Sequence, residues 1–225
     1  MSVMTVGREA VLVAAVGIEV EGGSATVEVL AEALGVGPEQ VRELFPDGEA
    51  VHGALQLFAA QRVAAAVEAA GPEGEEPARA VHRVVRRLIP ESAFVTFLLD
   101  EGPWLDEEPK ALWVAAIGRI DEVFVRGQRT GEFCGDLSDG WLSENLLEPI
   151  TETGYEVGHG NATVEEAGEE LASSTVRFAA EPFHEPPSRC AQRALTPDAT
   201  VACGPRSTCQ VLRRSVGLPG PEPVS

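Results

Sequence analysis

The stretch SATVEVLAEALGVGPEQVRELFPDGEAV, residues 24–51, decides the fold. Val27, Leu30, Ala31 and Leu34 recur at i, i+3, i+4 and i+7, the spacing of one apolar helical face. Ser24 or Ala25 opens that helix, and Gly35-Val36-Gly37 interrupts it. Pro38 then stands where proline is tolerated, in the first turn of the next helix. Val41, Leu44 and Phe45 give this short helix a single apolar face before Pro46-Asp47-Gly48 breaks the chain again. Val27, Leu30 and Ala31 are expected to pack on the second helix through Val36, Val41 and Leu44. The outer, N-terminal face of the second helix is then left free. Two short helices joined by a glycine-containing turn form a helix-turn-helix, whose second helix can enter the major groove of a duplex. A plain helical hairpin shares the same local pattern.

Working outward, the remainder also reads as helix. Residues 8–21 are strongly apolar and end at Glu21-Gly22-Gly23. Asp47 can cap a fourth helix running to about Ala70, with Val51, Ala54, Leu55 and Phe58 inward. A polar loop, 71–77, precedes a fifth helix carrying Val81, Val84, Val85 and Leu88 on one side, and Pro90 separates it from a sixth over 91–99. From about Asp106 to Arg126, Leu112, Trp113, Ala116, Ile117, Ile120, Val123 and Phe124 hold helical spacing, and Gly127 is the expected stop. Ser138 or Asp139 can cap an eighth helix with Leu142, Leu146 and Ile150, kinked at Pro149. Asn161 or Thr163 starts the last, with Val164, Ala167, Leu171, Thr175 and Phe178 on one face and Glu165 and Glu166 suited to the dipole of its first turn. No strand alternation persists beyond the opening residues. The fold class is therefore all-α, about nine helices: an N-terminal three-helix helix-turn-helix domain (1–48), then a larger helical domain (49–181). Residues 182–225 hold eight prolines and no durable periodicity, and a disordered tail is expected there.

Composition narrows the function. Seventeen Lys+Arg against thirty-six Asp+Glu in 225 residues leave a formal net charge of −19, which argues against a generic binder of polyanions or anionic lipid. A hydrophobic fraction of 44% with only twelve aromatics describes a core of Ala, Val and Leu, which suits packed helices. The longest apolar run, Ala10 to Ile18, is too short for a bilayer span of about 20 residues. No basic start precedes it, so a cytoplasmic protein is expected. Cys134, Cys190, Cys203 and Cys209 include no CxxC pair, and neither a metal nor a cofactor is indicated. No Gly-rich phosphate loop, GxSxG or HExxH occurs, and His52, His82, His159 and His184 are scattered without triad or ligand spacing. An enzyme is not expected.

The chain resembles the TetR family of transcriptional regulators. TVEVLAEALGV is similar to the family's second helix and turn, and VRELFPDGEAV to its recognition helix and the start of the long fourth helix. VFVRGQRTGEFCGDLSDGWLSENL and ATVEEAGEELASSTVRF resemble the segments around its seventh, eighth and ninth helices. The resemblance covers roughly residues 8–181. It implies a homodimer that binds double-stranded operator DNA, usually as a repressor, and is released by a small-molecule inducer. It also implies a dimer interface on the last two helices, which here would use Leu142, Leu146, Ile150, Val164, Ala167, Leu171 and Phe178; the same faces serve equally as intrachain core. Phe94, Phe97, Trp104 and Trp113 fall where the family places its inducer pocket, with core packing as the alternative. Few charges fall on those faces, so an apolar ligand is expected. His82, beside Arg83, reads as a surface residue.

Thr26, Gln40 and Arg42 are the DNA-facing candidates. A glutamine amide can read adenine, and a guanidinium can hold a phosphate or guanine. The family commonly carries an aromatic residue at the position of Arg42 and a lysine at that of Gly48. Between Ser24 and Leu55 stand six acids, Glu28, Glu32, Glu39, Glu43, Asp47 and Glu49, against one arginine. Acids beside phosphates add repulsion, so operator binding is expected to be weak or narrowly specific and steeply lost with salt. The competing reading is a ligand-binding or protein-interaction dimer of the same fold that has lost DNA binding.

Overall fold

The computed structural model describes residues 6–135 and 140–180, which belong to one compact unit. The expected tail, with Cys190, Cys203, Cys209 and His184, lies outside the described residues, as do Ser138 and Asp139. Among the described residues there are nine α-helices and no strand: α1 (Arg8–Val20), α2 (Val27–Leu34), α3 (Pro38–Arg42), α4 (Gly48–Ala70), α5 (Pro77–Leu88), α6 (Ser92–Glu101), α7 (Glu107–Thr130), α8 (Trp141–Gly158) and α9 (Val164–Ala180). The expected all-α architecture is the one observed.

Local chemistry sets most of the helix ends. The cap of α2 falls at Thr26 rather than Ser24 or Ala25: its Oγ1 accepts from the Val29 amide at 3.3 Å. Asp47 caps α4 by accepting from the Ala50 amide at 2.9 Å. Thr163 and Glu166 form a reciprocal box at the start of α9. The Glu166 amide donates to Thr163 Oγ1 (3.2 Å), while Glu166 Oε2 accepts from the Thr163 amide (3.2 Å) and hydroxyl (2.7 Å). Those hydrogen bonds, the hydroxyl's first, hold the Glu166 carboxyl below the usual range.

One expected helix end is corrected. Helix α7 does not stop at Gly127 but continues to Thr130, and Gly131, at φ +81°, ends it. Gly127 is there for clearance, since a Cβ on it would drive into the ring of Phe133. Helix α8 runs from Trp141 to Gly158 with Pro149 inside it.

The core is organised around α4, where Val51, Leu55, Ala59, Ala60, Val63 and Val67 are all fully buried. It packs on α1, α5, α6 and α7. Its small side chains allow close approach from several directions at once. On its flank Arg62 donates two hydrogen bonds to Glu91 (2.9 and 2.8 Å), lies 3.6 Å from Glu9 on α1, and covers the ring of Phe94 at 5.5 Å. The hydrogen bonds to Glu91 raise the Arg62 pKa, against the opposing effect of burial. Helix α5 turns Ala80, Val81, Val84, Val85 and Leu88 inward and Arg83, Arg86 and Arg87 outward.

Replacing a fully enclosed α4 side chain removes apolar contact on several faces together. Leu55→Ala is expected to lower unfolding stability by about 2–5 kcal/mol. Val13→Ala, on the exposed side of α1, should stay within about 0.5 kcal/mol. Denaturant titrations at one fixed protein concentration measure both, and equal losses would contradict the enclosed placement of Leu55.

Candidate functional site

The first three helices build a helix-turn-helix. Leu30 and Val41 are fully buried between α2 and α3, with Val27, Ala31 and Phe45 around them. The turn closes on Gly35 (φ +66°), with the Gly35 amide donating to Glu32 O (3.1 Å) and the Val36 amide to Ala31 O (3.0 Å). Helix α1 pins this unit at both ends. Near its start, Arg8 donates to Leu44 O at 2.7 Å and lies 4.1 Å over the Phe45 ring. Near its end, Glu19 Oε1 accepts from the Ala25 amide at 2.9 Å. The tip is therefore a rigid presentation, held by side chains as well as by core burial.

The structure brings Thr26 and Arg42 into one open cleft of about 370 Å³, lined also by Val27, Glu28, Pro46, Asp47 and Gly48. Gln40 is not part of that lining. It is half-buried, and its Oε1 is enclosed without a hydrogen-bond partner. The Thr26 hydroxyl already serves as the α2 cap. Arg42 is 49% exposed and is paired with Glu28 of α2, itself 66% exposed. Glu28, Glu32, Glu39, Glu43, Asp47 and Glu49 are all exposed. The charge that the sequence places near α3 is thus on its surface, and the sole arginine of the cleft is paired with one of those acids.

The four aromatics of the expected ligand region are not gathered. Phe94 and Phe97 are buried, Phe94 meeting Phe58 edge-on at 5.6 Å and Phe97 meeting His52 at 5.7 Å. Trp113 is half-buried on α7. Trp104, by contrast, is 79% exposed on the short 3-10 turn Gly102–Trp104. The turn sends the next residue, Leu105, into the core and leaves the indole outside.

Beside them lies a polar network that sequence reasoning missed. Gln56 is buried on α4; its Nε2 donates to Glu101 Oε2 (3.0 Å) and its Oε1 accepts from the Asp106 amide (3.0 Å). His52 Nε2 lies 3.1 Å from the same Glu101 oxygen. A glutamine between Leu55 and the alanines of an otherwise apolar stretch was the available signal. His82 lies half-buried, with Nε2 3.1 Å from Glu169 of α9.

On the far side, α8 and α9 form an open apolar groove of about 250 Å³ lined by Leu142, Leu146, Leu171 and Phe178 with Asn145, Pro149, Ser174 and Thr175. Trp141 stacks on Phe178 at 5.7 Å and 27°. The other residues of the expected interface do not line this groove. Ile150 is fully buried in the intrachain core, Ala167 is buried, and Val164 is exposed outside the groove. Among the described residues, no helix is long and apolar enough to cross a membrane, and no cluster of His, Cys, Asp and Glu could hold a metal ion.

No protein-family model matches the chain, and no curated protein matches it in sequence. Solved structures do match in fold. The TetR-like transcriptional regulator LfrR from Mycobacterium smegmatis, in complex with proflavine, superposes with a TM-score of 0.60 at 22% identity over 77% of this chain and 95% of its own. The TetR family transcriptional regulator PfmR from Thermus thermophilus gives 0.58 at 21% identity over 74% and 97%. The fatty acid degradation regulator FadR from Bacillus halodurans gives 0.56 at 15% over 81% and 99%. The chain has a TetR-like fold: an N-terminal helix-turn-helix followed by a helical domain.

Within that fold Gln56 ties α4 to the α6–α7 connection. Gln56→Ala should lower stability by about 1–3 kcal/mol, because the Asp106 amide and Glu101 lose a buried partner. The Asp106 amide should also exchange with deuterium faster. Unchanged exchange would rule the bridge out.

Proposed function

We propose that this protein is a TetR-like transcriptional regulator, a repressor that binds double-stranded operator DNA as a homodimer. Residues 1–48 form its DNA-binding domain and 49–181 its ligand-binding and dimerisation domain. It acts in the cytoplasm, is not an enzyme and needs no cofactor. The observation that carries this reading is the helix-turn-helix pinned by Arg8 and Glu19, with Arg42 exposed on the recognition helix. In such a motif the second helix lies in the major groove while the first crosses the sugar-phosphate backbone, so the pinned geometry suits docking.

The groove between α8 and α9 supports the dimer. Phe178 is 45% exposed and Leu171 half-buried, both beside Leu142 and Leu146, an apolar surface that a second copy would cover. Release by a small molecule is supported by the proflavine bound to the LfrR of similar fold, and an apolar character for it by the phenylalanines around α4 and α6. Phe94, Phe97 and Trp113 would supply the apolar wall, and the exposed Trp104 would lie at its edge.

The acidity of the tip favours a second reading, a dimer of this fold without DNA binding. Fluorescence polarisation with a duplex from upstream of its own gene separates the two. A repressor should bind at low salt and weaken as salt rises, by about 0.9 logarithmic units per decade for each phosphate contact made with net release of a cation. No binding at low salt would leave the second reading. Phe178→Asp should convert the dimer to a monomer by sedimentation with helicity retained, and operator affinity should fall with it. A dimer that survives this change would place the interface elsewhere.

A further inference from the structure

We propose that Glu28 acts as an internal substitute for a DNA phosphate, occupying Arg42 in the free protein and thereby setting both the affinity and the salt dependence of DNA binding. The inference rests on the DNA-binding reading and adds a residue that limits it.

Arg42 is the one arginine from Ser24 to Leu55, with no lysine there, and its NH2 meets Glu28 Oε1 across the two helices of the motif. Glu28 lies in the first turn of α2. In helix-turn-helix docking the first helix of the motif crosses the sugar-phosphate backbone, so an anion belongs near this position. Positive dipole ends favour an anion there, and here a carboxylate of the chain itself supplies it. The same cleft contains Asp47 and no second cation.

An exposed ion pair of this kind is worth little in water, so phosphate can displace the carboxylate. The displacement has a specific consequence for ion release. When Arg42 leaves Glu28 for a phosphate, the DNA gives up a condensed cation, but the freed carboxylate faces phosphate and draws a cation in its place. The exchange is nearly neutral in ions, whereas an arginine unpaired in the free protein would contribute a full release of about 0.9 to the salt slope. Arg42 is therefore largely silent in the salt dependence of the native chain and becomes audible only when Glu28 loses its charge.

Glu28→Gln, Arg42→Gln and the double variant of the full chain, titrated against a mixed-sequence duplex and the upstream duplex over a salt series, test this. Glu28→Gln should tighten binding to both duplexes roughly tenfold and steepen the salt slope by about 0.9. Arg42→Gln should weaken the native chain without changing its salt slope, and should erase both the gain and the steeper slope in the Glu28→Gln background, a strongly non-additive cycle. A purely structural role for Glu28, as a first-turn acid of α2, predicts the opposite sign: weaker binding with an unchanged slope. Equal affinities and slopes for native and Glu28→Gln proteins, or additive effects of the two substitutions, would overturn the inference while leaving DNA binding in place. If neither the native chain nor Glu28→Gln binds either duplex at low salt, the DNA-binding reading itself falls, and this inference with it. Binding that appears only in Glu28→Gln would uphold both.

Discussion

A helix whose apolar residues run round its whole circumference has to be surrounded, because no orientation hides them against a single neighbour. Helix α4 comes near to this, with only a stripe through Gly53, Gln61, Ala65 and Ala69 exposed. Val51, Leu55, Ala59, Val63 and Val67 follow one ridge, and Gln56 and Ala60 extend the buried surface to another side. Its neighbours α1, α5, α6 and α7 are what enclose it. The small alanines decide how near they come. The helix-turn-helix therefore does not hang from a flexible connection: α1, which pins the motif, is itself part of the wall around α4.

Polar contacts then fix the arrangement that burial only permits. Arg62 reaches Glu91 with two hydrogen bonds and lies near Glu9, so a single guanidinium spans α4, the α5–α6 junction and α1. Gln56 does the same toward α6 and α7 through Glu101 and the Asp106 amide. Both are partly or wholly removed from water, where an unmatched polar group is expensive and a matched one is specific. Three arginines bind the α4–α5 loop in the same spirit. Arg83 donates to Gly71 O, Arg126 to Pro72 O, and Arg119 to Glu73, whose carboxyl is held below its usual range chiefly by that hydrogen bond. Acid-rich composition is compatible with a tight fold here because much of the arginine is spent within the chain.

That internal use of arginine bears on function. A duplex is bound through cations left over after intramolecular pairing, and net charge alone misjudges their number in both directions. Arg8 is engaged with Leu44 and Phe45, Arg62 with Glu91, and Arg42 with Glu28. The motif's shape and its electrostatics point to different affinities for DNA, and the pairing of Arg42 is where the two meet.

The helical fold, the positions of α2 and α3, the cap at Asp47 and the break before Gly71 were legible in the sequence, because helix periodicity and capping are local properties of a few neighbouring residues. The apolar stripe of α9 was legible too, but its assignment was not: Phe178 stays exposed while Ala167 is buried. Which residue of a stripe meets its own chain depends on what packs opposite, and periodicity carries no information about that. The same limit explains Gly127, read as a helix stop and found beneath Phe133, and Trp104, read with the aromatics of the ligand region and found outside because the turn gives the interior to Leu105. The pairing of Glu28 with Arg42 joins residues fourteen apart on two helices. The sequence by itself determined helix, turn and charge, each set over a few residues. Only the tertiary structure decided which charge is neutralised and which apolar face remains open, since both depend on distances between elements that local chemistry does not specify.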